Sequence, residues 1–344
     1  MNLKSITKAN VSGRRIVVRV DWNVTTGRAL QIIDDTRIVR TLPTIKWLMN
    51  NGAKQITLLS HLGKAEEMRS IESVAKYAEQ LLSENIKLYK TIKECVADSI
   101  SLIKMLENVR LWAGEDSNDV DFSLELASLG DIYVNEAFGE CHRESASIVG
   151  ITKHLPSYAG LWLEDEVEAV LKVRENPEHP FVVVMGGAKV EDKLPLLKLL
   201  ADRADIILVG GKLANELQGE RIKLSGKAKV VLPVEGSDIL DIGDETRRIF
   251  AAEIAKAKTI VWNGPMGKVE DAEYRAGTEA IFNAIARNVG AYTLVGGGDT
   301  LSAVSHEEQI SRIDHVSTGG GSMLKLLEKG SLVGLDALSS NETN

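Results

Sequence analysis

The apolar run Phe181-Val182-Val183-Val184-Met185 ends in the glycine pair Gly186-Gly187, and Ala188 to Lys193 then leads into the helical pattern Leu194 to Leu200. A continuous run of β-branched residues belongs to a strand buried on both faces, which is the signature of a parallel sheet covered by helices. Strand, tight turn and helix start in this order place the chain in the α/β class. Glycines at 186 and 187 let the backbone come close to a ligand. Amides at a helix N-terminus, with Lys189 and Lys193 four residues apart, suit an anion such as phosphate. An ordinary strand-to-helix connection with solvated lysines has the same pattern, so this stretch leaves both readings open.

The alternation continues along all 344 residues. Strands are expected at Ile16 to Val20, Gln55 to Ser60, Leu102 to Leu106 and Ile132 to Val134, with helices at Thr41 to Asn51, Ile71 to Leu82 and Phe122 to Leu129. A Glu- and Leu-rich helical pattern, Tyr158 to Arg174, is bounded by breakers and suits a connecting helix. Further strands are expected at Ile206 to Val209, Val230 to Leu232, Thr259 to Val261 and Tyr292 to Val295. Helices follow at Glu245 to Lys256, Thr278 to Asn288 and Ser322 to Glu328. The expected division is a lobe over 1–157, a connecting helix over 158–175, a second lobe over 176–330 and a tail over 331–344. The fold is two doubly wound parallel-sheet lobes joined by a helix.

Several partner classes are excluded by composition. Aromatics make up 5% of the residues, too few for a single-strand stacking platform, and a net charge of -8 argues against nucleic acid or an anionic membrane as partner. No apolar run approaches the roughly 20 residues that span a bilayer, and the first residues lack a basic-then-apolar leader. Cys95 and Cys141 have neither CxxC nor zinc-type spacing, so reduced thiols are expected. The expectation is a cytoplasmic protein.

Polar residues collect after the first-lobe strands: Asp21 and Asn23, His61 and Lys64, Arg110, then His142 and Arg143, with Arg37 ahead of a helix. On parallel strands they would converge on one rim and form a basic bowl for a small phosphorylated acid. Taken singly, an arginine of this kind is more often solvated and a lone histidine more often structural; it is their joint placement after successive strands that favours a site. In the second lobe, Gly210-Gly211, Gly264-Pro265-Met266-Gly267, Gly296 to Thr300 and Gly319 to Gly321 sit at successive strand ends. A pocket lined by backbone, of the kind that takes a nucleotide, is expected outside those ends. The chain has no GxxxxGK[ST], GxGxxG, HExxH or GxSxG motif.

Eight segments, in order, resemble phosphoglycerate kinase: Val18 to Val24, Ser60 to Lys64, Leu106 to Arg110, Asn135 to Gly139 with His142-Arg143, Gly186 to Val190, Trp262 to Gly267, Gly296 to Thr300, and Ser317 to Gly321. The resemblance implies a two-lobed, hinge-bending kinase that moves a phosphoryl group between 1,3-bisphosphoglycerate and ADP, giving 3-phosphoglycerate and ATP with Mg2+. It implies that Asp21, Trp22, Asn23, Arg37, His61, Leu62, Gly63, Lys64, Arg110 and Arg143 form the phosphoglycerate site. It assigns the nucleotide to Gly187, Lys189, Lys193, Gly211, Glu270 and Gly297 to Thr300 (Gly298 and Asp299 between them), with Asp299 as the magnesium ligand. Arg37, Lys193, Gly298 and Gly321 would act on the transferring group. A monomer is expected, because lobe motion is needed.

The chain departs from the family pattern at four places. Lys64 stands for a usual arginine, Lys212 for a usual glycine and Asp244 for a usual proline, and the stretch from Ala214 to Asp241 is much shorter than usual.

Overall fold

The computed structural model describes residues 3–27, 31–67, 69–188, 190–219, 224–236, 238–301 and 307–339. Two compact units are present, one comprising Met1–Val167 with Ser331–Asn344 and the other Glu168–Gly330. The strands of the first are β1 (Arg15–Val20), β2 (Gln55–Leu59), β3 (Ile86–Tyr89), β4 (Ile103–Leu106), β5 (Ile132–Glu136) and β6 (Ser157–Ala159). Its helices are α1 (Thr36–Asn50), α2 (Glu72–Leu82), α3 (Ile92–Ala97), α4 (Val120–Ala127) and α5 (Leu161–Glu175), and the boundary between the units falls within α5. The sheet order is β3-β4-β2-β1-β5-β6, with every pairing parallel.

The second unit holds strands β7 (Phe181–Met185), β8 (Ile206–Val209), β9 (Lys229–Val231), β10 (Thr259–Asn263), β11 (Tyr292–Gly296) and β12 (His315–Ser317). Between them run α6 (Val190–Ala201), α7 (Gly211–Gln218), α8 (Asp244–Ile254), α9 (Ala276–Arg287), α10 (Gly298–Leu301) and α11 (Gly320–Lys329). Its order is β12-β11-β10-β7-β8-β9, again parallel. All five residues of β7 are buried, as the opening valine run requires.

Register aligns the strand ends. In the first sheet Arg19 lies opposite both Leu59 and Asn135, so the residues that follow β1, β2 and β5 emerge side by side. In the second, Asn263 lies opposite Met185 and Gly296, and Met185 opposite Val209. The glycines that follow these four strands therefore share one edge. Open parallel sheets bind their ligands at that edge.

Three differences from the sequence reading have physical causes. Helix α1 begins at Thr36 rather than Thr41, which sets Arg37 in its first turn. Strands β3 and β6 and helix α7 lack the apolar length expected of such elements; β3 has an exposed lysine within it, and α7 is capped by Gly210. Residues placed in a trailing tail instead form α12 (Val333–Ser339), which buries Gly334, Leu335 and Leu338 and belongs to the first unit. Leu332, Leu335 and Leu338 recur at threefold spacing, an apolar face that three to four turns of polar tail would lack.

Helix α5 is anchored by a buried carboxyl. Glu136, at the end of β5, accepts hydrogen bonds from the amides of Trp162 (3.2 Å) and Leu163 (2.8 Å) and from the Thr44 hydroxyl. Thr44 Oγ1 also accepts from the Leu161 amide at 3.0 Å. Three of the four amides a helix leaves unpaired are satisfied in this way. Burial nevertheless pushes the Glu136 carboxyl up to about 7, outweighing the hydrogen bonds that favour its ionised form.

An unfolded glutamate releases its proton near ~4.3, so the folded chain binds the extra proton and Glu136 withdraws stability as pH rises through about 7. Urea midpoints measured from about pH 6.5 to about 8 should fall, by at most ~1.4 kcal/mol per unit from this group. Glu136→Gln should flatten the slope. An equal slope in the variant would assign the pH dependence elsewhere.

Candidate active site

A basic bowl occupies the carboxyl edge of the first sheet. Asp21 follows β1 and is nearly buried, and its Oδ2 lies 2.5 Å from Nη1 of Arg37, whose side chain remains one-third exposed. The pair holds the Arg37 guanidinium above its usual proton affinity, chiefly through the Asp21 charge. Asn23 Oδ1 accepts from the amide of Gly63 at 2.9 Å, and Arg110 Nη1 donates to the Gly63 carbonyl at 2.8 Å. Gly63 adopts φ +69°, which a side chain would resist. The loops after β1, β2 and β4 are thereby tied together.

At the floor of the bowl His61 is fully buried. Its Nδ1 lies 3.2 Å from Nη2 of Arg19. Arginine offers only donors, so Nδ1 accepts and Nε2 carries the ring proton. Burial, then the charges of Arg19, Arg110, Arg37 and Arg143, push the imidazole well below its usual range, so it is neutral. The buried Nε2 has no hydrogen-bond partner among the described residues. An N–H aimed into an arginine-lined space is a donor held for an oxygen acceptor.

Two charged groups in this network escaped the sequence reading. Arg19 is buried, donating to Ser147 Oγ at 2.8 Å, and Ser147 passes the interaction on to Glu115 at 2.6 Å. Glu140 pairs with Arg110 at 2.9 Å and Arg143 at 3.3 Å, and its other oxygen lies 3.6 Å from His61 Nε2. The rule that selected His142 and Arg143, polar residues just past a buried strand, also covers Glu140. Its sign made it look foreign to a basic bowl.

Not every expected residue presents its side chain here. Trp22 and Leu62 are buried in the apolar core; the Trp22 indole donates to Thr41 Oγ1 at 2.8 Å and the Leu62 carbonyl accepts from Asn108 at 2.9 Å. Lys64 is exposed.

The second unit presents a different surface, made of backbone. Gly187, Gly211, Gly264 and Gly297 all have φ between +61° and +100°. Their edges interlock: the Gly187 amide donates to the Pro265 carbonyl at 2.8 Å, the Gly211 amide to Met266 at 2.9 Å, and the Gly264 amide to Thr300 Oγ1 at 2.9 Å. Thr300 Oγ1 donates in turn to the Gly296 carbonyl at 2.9 Å. A Cβ on Gly187 would meet Lys193 Nζ at 2.7 Å, and one on Gly320 would meet the Gly297 backbone at 2.9 Å. Lys193, nearly buried, donates to the Gly186 carbonyl.

The structure thus gathers Gly187, Lys193, Gly211, Gly297 and Thr300 along one edge. At Gly298, which opens α10, and Gly321, the second residue of α11, a Cβ would meet nothing within 4 Å. Glu270 is exposed in the turn after β10. Lys189, and the side chain of Asp299, lie outside the described residues.

One edge thus offers arginines and a histidine N–H, and the other a lysine and stripped backbone. The family model for phosphoglycerate kinase matches residues 6–231 and 220–330. The chain belongs to the phosphoglycerate kinase family. The phosphoglycerate kinase of Herpetosiphon aurantiacus is 37% identical, over 98% of this chain and 100% of its own length. That of Chloroflexus aggregans is 37% identical, over 99% and 100%. Among solved structures, phosphoglycerate kinase from Coxiella burnetii superposes with a TM-score of 0.84 at 31% identity, covering 99% of this chain and 100% of that one. The enzyme from Pyrococcus horikoshii gives 0.85 at 28%, covering 98% of each. The two sequence alignments run over 395 and 401 positions, more than this chain possesses, and the two matched stretches meet at 220–231, within the segment read as shortened.

Gly264 has φ +89°, and a side chain there would run into the Gly186 backbone as well as Lys193 Nζ. Gly264→Ala should therefore lower the unfolding free energy by at least ~1–3 kcal/mol, the strain of the backbone conformation alone. Chemical denaturation would read this, and an unchanged midpoint would mean that the glycine edge tolerates a side chain.

Proposed function

We propose that this chain catalyses the reversible transfer of a phosphoryl group from 1,3-bisphosphoglycerate to ADP, giving 3-phosphoglycerate and ATP, the glycolytic reaction of its family. The first unit binds the phosphoglycerate and the second the nucleotide. The observation that carries this reading is the pairing, in one phosphoglycerate kinase chain, of a bowl built from side-chain charge with an edge built from backbone.

In the bowl, Arg110 and Arg143 supply the forked donors that match phosphate and carboxylate oxygens, and His61 supplies Nε2–H. Asp21 keeps Arg37 in place at 2.5 Å while leaving its side chain one-third exposed. Asn23 and Gly63 fix the loop between them. Lys64 adds a mobile point charge where an arginine would add a fork.

On the glycine edge, Gly187, Gly211, Gly297 and Gly298 with Thr300 line the nucleotide phosphates, Lys193 carries the positive charge, and Glu270 serves the ribose. Lys189 is assigned to the nucleotide as well. Magnesium enters as part of the nucleotide substrate, and Asp299 is the carboxylate assigned to it.

The chemistry demands little beyond placement. In the direction of ATP use, a carboxylate oxygen of 3-phosphoglycerate attacks the γ-phosphorus, a new P–O bond forms and the bond to the β-phosphate oxygen breaks, releasing ADP. A carboxylate is already deprotonated, so no general base is needed. Catalysis reduces to in-line alignment and neutralisation of charge on the three equatorial oxygens. Arg37 and Lys193 flank that group, with amides at Gly298 and Gly321 beside it. Because the donor and acceptor groups belong to different units, turnover requires the units to close over the reactants. Closure also keeps water from the acyl phosphate. A monomer in a reducing, cytoplasmic compartment fits the two free, buried cysteines.

Purified protein given ATP and magnesium should release ADP only when 3-phosphoglycerate is present. Arg37→Ala should lower turnover by roughly 10²–10⁴-fold. Since Asp21 then loses its partner, a small drop in stability is expected too, and Asp21→Asn in the same background should restore stability without restoring rate. Wild-type turnover in Arg37→Ala would remove Arg37 from the reaction.

A further inference from the structure

Glu140 is at odds with a bowl meant for a phosphorylated acid. It sits 2.9 Å from Arg110 and 3.3 Å from Arg143, and approaches His61 Nε2 at 3.6 Å, three groups that the substrate itself should use. Its side chain is 11% exposed. The groups that face it are Arg19, Arg37, Arg110 and Arg143, the neutral His61, and a second carboxylate, Asp21. Burial and the Asp21 charge raise its proton affinity, and the guanidiniums offset this only in part.

Two simpler roles fit less well. Asp21, His61 and Glu140 bring their ligand atoms within 4.8 Å of one another, as a cation site would. But His61 Nε2 is the protonated nitrogen, because Nδ1 must accept from Arg19, and a protonated nitrogen cannot ligate a metal. Four guanidiniums around the cluster are also hostile to a dication. If Glu140 were a permanent structural partner, His61 would have a well-made acceptor. At 3.6 Å the N–H falls short of one, and it counts as unsatisfied.

A phosphoglycerate brings about three negative charges, one on its carboxylate and up to about two on its phosphate. Held by the same arginines beside an ionised Glu140, it would meet like-charge repulsion in a partly dry site. Protonating Glu140 removes the repulsion, and the neutral carboxyl gains an O–H that can donate to a substrate oxygen.

We propose that Glu140 is a resident counter-anion of the phosphoglycerate bowl, which occupies Arg110 and Arg143 until substrate arrives and becomes more protonated, drawing proton from solvent, as the substrate replaces it. The inference rests on the assignment of this bowl to phosphoglycerate. It makes Glu140 an affinity-setting residue. The bound complex raises the proton affinity of Glu140 above that of the unliganded protein. Binding is therefore tightest below the unliganded value and weakens as pH rises through the bound one.

The test is calorimetric titration of the whole wild-type protein and of Glu140→Gln with 3-phosphoglycerate. Buffers of low and high ionisation heat would be used, from about pH 7 to about 8.5, above the ~6 at which the substrate phosphate titrates in both proteins. Wild type should show buffer-dependent heat corresponding to proton uptake; the variant should not. At the upper pH the variant should bind roughly tenfold more tightly, the equivalent of one unit of displaced titration. The wild-type proton count needs no variant, so it stands even if Glu140→Gln folds poorly. Binding without proton uptake in wild type, or weaker binding by a folded variant, would overturn the role of Glu140 and leave the site assignment intact. Failure of both proteins to bind 3-phosphoglycerate would overturn the site assignment and this inference together.

Discussion

Parallel pairing, with helices on both faces of each sheet, leaves a strand nowhere to present a polar group except at its ends. In both units the central strands are buried throughout, β1 flanked by β2 and β5, and β10 flanked by β7 and β11. Every group with chemical potential must therefore leave the sheet at the carboxyl edge, where in-register pairing sets neighbouring exits side by side. Asp21, His61 and Arg143 are far apart in sequence and close in space for this reason alone. Backbone hydrogen bonding in the sheets, more than any single side chain, builds the two edges.

The units then use that edge in opposite ways. In the first, charge is assembled from side chains and must be balanced where it is buried. Arg19 is compensated through Ser147 by Glu115, Arg37 by Asp21, and Arg110 and Arg143 by Glu140. Uncompensated, the deeply set guanidiniums of Arg19 and Arg110 would each carry a desolvation cost of several kcal/mol. His61 stays neutral there because burial and the surrounding guanidiniums both disfavour its protonated form. The compensation also means that a ligand competes with the protein's own carboxylates, so the electrostatics of binding are differences between two paired states rather than gains from bare charge.

The alternating pattern, the glycine clusters and the polar residues after each strand were all legible in the sequence, because each follows from a local rule. Valine runs reveal buried strands, and glycine reveals a backbone under constraint. Arginine or histidine just past a strand marks a ligand edge. What was not legible depends on packing partners that local pattern does not encode. Strand β3 carries an outward lysine and is too short to show a period. Helix α12 is short, burying Gly334, Leu335 and Leu338, and which unit it packs on is a matter of tertiary contact. Arg19 sits inside a strand, where an inward arginine looks like an error until Ser147 and Glu115 are beside it. The sense of Glu140 could be read only from its distances to three groups on other loops.

The backbone character of the second edge bears on the shortened segment. The described residues between Ala214 and Asp241 include the end of α7 and the edge strand β9, at the far side of the sheet from β11 and β12. The conformations of Gly187, Gly264 and Gly297 are fixed by pairing to β7, β10 and β11, through bonds such as Gly187 to Pro265 and Gly264 to Thr300 that involve no atom of that segment. A site made of side chains on a long loop would be lost with the loop. Amides held at the ends of central strands persist when peripheral chain is removed. Where the segment does reach inward, it does so through Asp241, whose carboxylate accepts from the amides of Ile242 at 2.9 Å and Gly277 at 2.7 Å and so joins the chain leading into α8 to the start of α9. That segment therefore touches whatever lies beside α7 and β9, while the glycine edge after β7, β10 and β11 is held by bonds outside it.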